Sequence, residues 1–145
     1  MGQSFPKVKI IAVGKVKKDW LKDGIRLYGQ RLPEVEVTVI KDTAPETEAQ
    51  KVLDSLKTND RLVVLSEEGK HFDSVGFSHW LGQQAFGTLV FFIGGPTGVS
   101  PSLKKKAYQI VSLSAMTFPH EIARLLLLEQ LYRGKTILQG GKYHK

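Results

Sequence analysis

Cysteine is absent from the 145 residues, so neither a disulfide framework nor thiolate chemistry is available. A secreted scaffold stapled by disulfides is thereby excluded, and a reducing compartment is compatible. The opening segment, Met1 to Lys9, lacks the apolar stretch of a signal peptide. Nor does any apolar run reach the ~20 residues needed to span a bilayer; a cytoplasmic protein with no membrane partner is expected. Several catalytic signatures are missing as well. Gly14 follows the first apolar run without the further glycines of a dinucleotide fingerprint, and Gly98 is followed by Val99 and Ser100 where a phosphate-binding loop needs Lys and then Ser or Thr. His71, His79, His120 and His144 have no metal-ligand spacing and no acid pairs beside them, so no metal is expected. There is no G-x-S-x-G, which leaves Ser112 and Ser114 as loop or capping residues. Repeats, low-complexity tracts and linkers are absent too, and residues 1–145 are expected to form one domain.

What is present begins with charge. Lys and Arg number 21 against 14 Asp and Glu, a net +7 that favours a polyanionic partner such as nucleic acid. Five short apolar runs, Val8–Val13, Val35–Ile40, Arg61–Ser66, Thr88–Ile93 and Gln109–Leu113, read as strands. Between them helical spacing connects Trp20, Ile25, Leu27, Tyr28 and Leu32, then Ala49, Val52, Leu53 and Leu56, then Val75, Phe77, Trp80 and Leu81. This alternation predicts an α/β fold with a parallel sheet flanked by helices. A last helix, Pro119 to about Arg133, is apolar over nearly its whole circumference. Such a helix is either central to the domain or shared between a core and a subunit interface; because a terminal helix in so small a domain is seldom central, a homodimer interface is expected there.

Two loops single themselves out. Gly94-Gly95-Pro96-Thr97-Gly98 ends an apolar strand, where glycine lets main chain approach a ligand. Ser112 to His120 is a loop of small and hydroxylated residues leading through Pro119 into the last helix. Two such backbone-rich loops facing one crevice point to a nucleotide-like ligand. A noncatalytic RNA-binding module would explain the charge but not this crevice.

The run Val8 to Lys15, Ile93 to Gly98, Ser112 to His120, Glu129-Gln130-Leu131-Tyr132-Arg133 and the ending Tyr143-His144-Lys145 together resemble, in order and over essentially the whole chain, the ribosomal RNA large-subunit methyltransferase H (RlmH) family of the SPOUT class. The resemblance implies an α/β fold with a deep trefoil knot near the C-terminus. It implies S-adenosylmethionine (S-adenosyl-L-methionine) as cofactor, methylation of N3 of a pseudouridine in 23S rRNA on assembled ribosomes, and a homodimer. Carried over by motif, the cofactor would touch Leu65, Gly94, Leu113, Ser114, Ala115, Met116, Thr117 and Phe118. A SPOUT enzyme acting on another RNA position would share the crevice but not the Tyr143-His144-Lys145 ending.

Those residue types suit the chemistry: apolar walls and main-chain groups can hold adenine, and the protein has then to align the acceptor nitrogen and help remove its proton. His120 and His144 are the candidate catalytic groups, with the identity of the proton acceptor left open. Arg133, Tyr143 and His144 are expected to bind the RNA substrate by phosphate pairing, stacking and hydrogen bonding. His71, His79 and Lys104–Lys106 read as surface residues, with phosphate contact the alternative for the lysines. The chain departs from the family pattern in a short Lys41–Thr47 segment, in Gly29 within the first helix, and in Gly134, where glycine is expected to stop the last helix at Arg133 and leave the tail more mobile.

Overall fold

Strand β4, Thr88–Ile93, is buried at five of its six positions and occupies the centre of a five-stranded parallel sheet. The computed structural model describes residues 4–84 and 86–144, so Lys145 of the terminal motif lies outside the described residues. Along the chain run β1 (Lys7–Val13), α1 (Asp19–Gln30), β2 (Val35–Ile40), α2 (Pro45–Ser55), β3 (Asp60–His71), α3 (Ser74–Gly82), β4, α4 (Pro101–Lys106), β5 (Gln109–Ser112) and α5 (His120–Leu138). The sheet order is β2-β1-β4-β3-β5, with β1 and β4 registered from Lys7↔Thr88 to Ala12↔Ile93. All five predicted strands are present, the first four joined by the three expected helices and β4 to β5 by α4, which was not expected.

Both faces of the sheet are covered, which is why its central strands are apolar without a polar side. Val8, Ile10, Ala12, Val63, Leu65, Leu89, Phe91 and Ile93 pack beneath α1, α3 and α5, where Leu127, Leu128 and Leu131 are fully buried. The alternate residues Ile11, Val13, Leu62, Val64, Val90 and Phe92 pack with Val52 of α2 and Leu103 of α4. This is the period-two geometry of a strand translated into two cores.

Three expectations need correction. Helix α5 does not stop at Arg133 but continues to Leu138, with Gly134 buried inside it. A Cβ at Gly134 would lie 2.8 Å from Leu81 Cδ1, so glycine there lets α5 approach α3 closely rather than ending the helix. Second, the tail is not loose: it turns at Gly140 (φ 73°), the Gly141 N–H bonds the Thr136 carbonyl, and Tyr143 packs edge-on to Tyr132. Third, α5 is central rather than marginal, lying between α1 and α3 with a Cβ at Gly24 only 3.0 Å from Leu125 Cδ1. Its apolar girth is largely consumed inside the chain.

Strand β3 also outruns its predicted end. Leu65 and Lys70 both register with Val111, so Ser66–Gly69 loops out and the strand rejoins β5 at Lys70 and His71. A Cβ at Gly69 would meet the Ile110 carbonyl carbon at 2.6 Å, and only glycine fits against that backbone. Helix α4 had no periodic signal because it spans six residues; the Ser100 side chain accepts from the Ser102 N–H, and Pro101 starts the helix.

Candidate functional site

The carboxyl ends of β3, β4 and β5 converge with the start of α5 around a cavity of about 710 Å³. In a parallel α/β sheet this edge is where ligands sit, because the connecting loops leave a gap between divergent crossovers. Leu65 and Ser66 arrive from β3, the Ile93–Val99 loop from β4, Leu113–Phe118 from β5, and Pro119, His120 and Ala123 from the head of α5. Of the eight expected cofactor residues, Leu65, Gly94, Leu113, Ser114, Met116, Thr117 and Phe118 line this one cavity, and Ala115 does not. His120 lines it too. The volume lies within the range of small-molecule sites, roughly 300–1,000 Å³.

The glycine loop is shaped by its own packing. A Cβ at Gly94 would stand 2.8 Å from Val99 Cγ2, one at Gly95 would stand 2.8 Å from Val13 Cγ1, and Gly98 has φ 88°. Gly98 N–H closes the turn on the Gly95 carbonyl at 3.0 Å. These glycines therefore close the loop on itself and against β1. On the other wall, residues 113–119 form neither helix nor strand. Ser114 Oγ accepts from Met116 N–H, while Ser112 Oγ donates to the Ser114 carbonyl, holding the loop open without regular pairing.

Two cavity residues carried no sequence signal: Glu67 and Lys104. Glu67 is the one acid on the wall among the described residues and stands 3.4 Å from Thr117 Oγ1; Lys104, expected on an open surface, bonds Glu68 at 2.6 Å across the rim. Both depend on the looped-out segment of β3, which no local pattern announces. Behind His120, Arg124 is 3% exposed and donates to the carbonyls of Gly14 and Val13 at 2.7 and 3.3 Å. Burial pulls its guanidinium pKa below the usual value, opposed by the charge of Glu121.

The expected substrate residues gather elsewhere. Arg133 bonds Glu129 at 2.8 Å, lies over the Tyr143 ring at 5.0 Å, and reaches His144 Nδ1 and carbonyl at 3.3 and 3.1 Å. The Tyr143 hydroxyl lies 2.9 Å from that of Tyr28 and donates to Glu129 at 3.0 Å. The hydrogen bond that Arg133 donates to Glu129 holds the guanidinium pKa up, while partial burial, then the bonds to Tyr28 and Glu129, push the Tyr143 phenol above its ordinary value. Thirteen helical residues separate His120 from Arg133, about 20 Å at 1.5 Å per residue. Within one chain, then, Arg133, Tyr143 and His144 cluster together but not with the cavity or with His120. Among the described residues no three histidines or carboxylates are grouped as a metal would require, and no helix is long and apolar enough to cross a membrane.

Comparison with known proteins fits this arrangement. A family model described as "Predicted SPOUT methyltransferase" matches residues 7–144. The ribosomal RNA large subunit methyltransferase H of Synechococcus sp. (strain RCC307) is 48% identical over 139 residues, covering 96% of this chain and 95% of that protein. The protein of the same name from Prochlorococcus marinus (strain MIT 9303) is 51% identical over 137 residues, 94% of this chain and 91% of its own length. The parallel sheet, its carboxyl-edge cavity and a match along nearly the whole chain show that it belongs to the SPOUT methyltransferase family, in the ribosomal RNA large-subunit methyltransferase H group.

Proposed function

We propose that this chain is a cytoplasmic 23S rRNA methyltransferase that transfers a methyl group from S-adenosylmethionine to N3 of a pseudouridine on assembled ribosomes, as a single domain paired into a homodimer. The observation that carries the reading is the convergence of Leu65, Gly94, Leu113, Ser114, Met116, Thr117 and Phe118 on one cavity of cofactor size. The donor set fits the cofactor. Leu65, Ile93, Leu113, Met116 and Phe118 offer apolar walls for an adenine, main chain outside regular pairing offers it hydrogen bonds, and Glu67 offers a negative charge to a cationic ligand. S-adenosylmethionine supplies, when bound, a methyl group on a positively charged sulfur.

The chain's own residues have three tasks. The apolar walls exclude water, and the two loops fix the position of the reacting centre. His120, at the cavity wall, is placed to accept the N3 proton through an imidazole nitrogen; His144 is the second candidate. Arg133 and Tyr143 hold the RNA, by pairing with phosphate and stacking on a displaced base. Arg133 lies about 20 Å from His120 along α5 and Tyr143 packs against it; a second copy is the source that would bring both to the cavity, and this separation supports the homodimer. The half-buried Ile122, Leu125 and Leu126 leave α5 with apolar surface for that partner. The trefoil knot belongs to the same reading and is supported by the family.

Calorimetry with S-adenosylmethionine, followed by methyl-transfer assays on free 23S rRNA, isolated subunits and complete ribosomes, tests the proposal. Stoichiometric cofactor binding and transfer confined to ribosomes are expected. Absence of cofactor binding would leave an RNA-binding module; transfer to another nucleotide would move the chain to a different specificity.

A further inference from the structure

The connection between β1 and α1 is short, basic and tied down. Gly14 takes φ 79° and its N–H bonds the Ile40 carbonyl at 2.8 Å, while the buried Arg124 holds the carbonyls of Val13 and Gly14. Three residues on, the Lys17 N–H donates to Glu121 Oε1 at 2.8 Å. These bonds join the connection to the first turns of α5, the element that also carries His120 into the cavity wall. A Cβ at Gly14 would stand 3.8 Å from His120 Nε2, so the connection borders the rim of the site itself.

Charge and exposure on this ledge point outward. From position 15 to 22 there are four lysines and one acid, Asp19, which lies 4.0 Å from Lys22. Lys15, Lys17 and Lys18 are exposed and have no ion-pair partner among the described residues. Exposed Lys41 follows Ile40 on the neighbouring strand, with Asp42 next to it. Trp20 is 59% exposed, whereas Trp80 is 9% exposed within the core. An indole left in water beside unpaired lysines on a fixed backbone matches a single-stranded nucleic acid, which presents phosphate charge and base faces together.

We propose that Lys15, Lys17 and Lys18, with Trp20 beside them, form a pre-organised docking ledge for the RNA backbone flanking the target nucleotide. This rests on the rRNA methyltransferase reading and adds to it a second RNA contact, distinct from Arg133, Tyr143 and His144. The lysines contribute affinity by releasing counterions from phosphates, and they do not select the base. Because Arg124 and Glu121 already order the main chain, docking does not have to order it again.

The test compares the wild type with the Lys15→Ala, Lys17→Ala, Lys18→Ala triple variant and with Trp20→Phe. The measurements are binding to a 23S rRNA fragment containing the target, across a salt series, and S-adenosylmethionine binding by calorimetry. The triple variant is expected to keep its thermal melt and cofactor affinity, to lose RNA affinity, and to show a salt slope shallower by about 2, near 0.7 per lost phosphate contact. Its KM for ribosomes should rise while kcat at saturation is retained. RNA should quench tryptophan fluorescence in the wild type and not in Trp20→Phe, where only the core indole remains. An unchanged salt slope in the triple variant would overturn the ledge. A wild type that binds the cofactor yet methylates no rRNA would overturn the functional reading and the ledge with it.

Discussion

At the His120 end of α5 the chain builds a cavity from apolar side chains and irregular main chain, with Glu67 and Lys104 on its wall. At the Arg133 end it builds a closed cluster in which Glu129, Arg133, Tyr28 and Tyr143 satisfy one another. The first region is shaped by what is missing, namely side chains at Gly94, Gly95 and Gly98 and regular pairing in residues 113–119. The second is shaped by what is shared, since one carboxylate serves both a guanidinium and a phenol. A cavity left open by its own backbone is ready for a ligand, whereas a self-satisfied cluster must exchange partners before it can hold one. The two ends are therefore expected to respond separately to mutation.

The largest effect tests that separation directly. Deleting Tyr143–Lys145 is expected to abolish methyl transfer to ribosomes while leaving S-adenosylmethionine affinity within about twofold, since the residues expected to hold the cofactor line a cavity to which the chain's own tail contributes no wall. Equal loss of cofactor binding, measured by calorimetry, would merge the two regions into one site. Next, Gly94→Val places atoms against Val99 and the Gly98 carbonyl. It should reduce cofactor affinity at least tenfold and cost about 1–3 kcal/mol of stability by overpacking. A variant with normal melting and normal affinity would show that the loop does not form the cofactor wall.

Smaller effects probe the tail cluster. Glu129→Gln removes the charge that Arg133 and Tyr143 share, and a loss of about 1–2 kcal/mol is expected in a denaturant melt, with cofactor affinity unchanged. The Tyr143 phenol titrates above its ordinary value. A group with a raised folded pKa contributes stability below its unfolded pKa, about 10 for tyrosine, and that contribution is lost as pH rises beyond it. Tail docking should accordingly hold through neutral pH and weaken above about pH 10, which ultraviolet titration of the wild type against Tyr143→Phe can measure. Smallest is Gly134→Ala. Its helix gains about 1 kcal/mol in propensity, but the new Cβ presses on Leu81 at 2.8 Å. The two effects nearly cancel, and a melting temperature within a few degrees of the wild type is expected; a large rise would mean that Leu81 yields freely.

The residues most legible in sequence were those whose pattern is local. Strands β1, β2 and β4 stand within one residue of their predicted limits: β1 and β4 because runs such as Thr88–Ile93 are buried on both faces, and the more exposed edge strand β2 because its β-branched residues alternate with polar ones. The cavity loops were legible for the same reason: glycine, proline and small hydroxylated residues mark main chain that leaves regular structure. The passage of α5 through Gly134 was not legible, because glycine's local penalty was outweighed by its packing on α3. Glu67 and Lys104 were missed because their place depends on how β3 rejoins β5, a pairing between residues about forty positions apart.

By itself the sequence determined a parallel α/β sheet, a basic surface and two backbone-rich loops at strand ends, since burial periodicity, net charge and turn chemistry are properties of neighbouring residues. Only the tertiary structure decided that those loops share one cavity, that α5 lies between α1 and α3, and that Arg133 and Tyr143 meet Glu129 and Tyr28 at the far end of the helix. Those outcomes depend on strand order and on close approach between helices. Both come from contacts between distant residues, which no window of sequence contains.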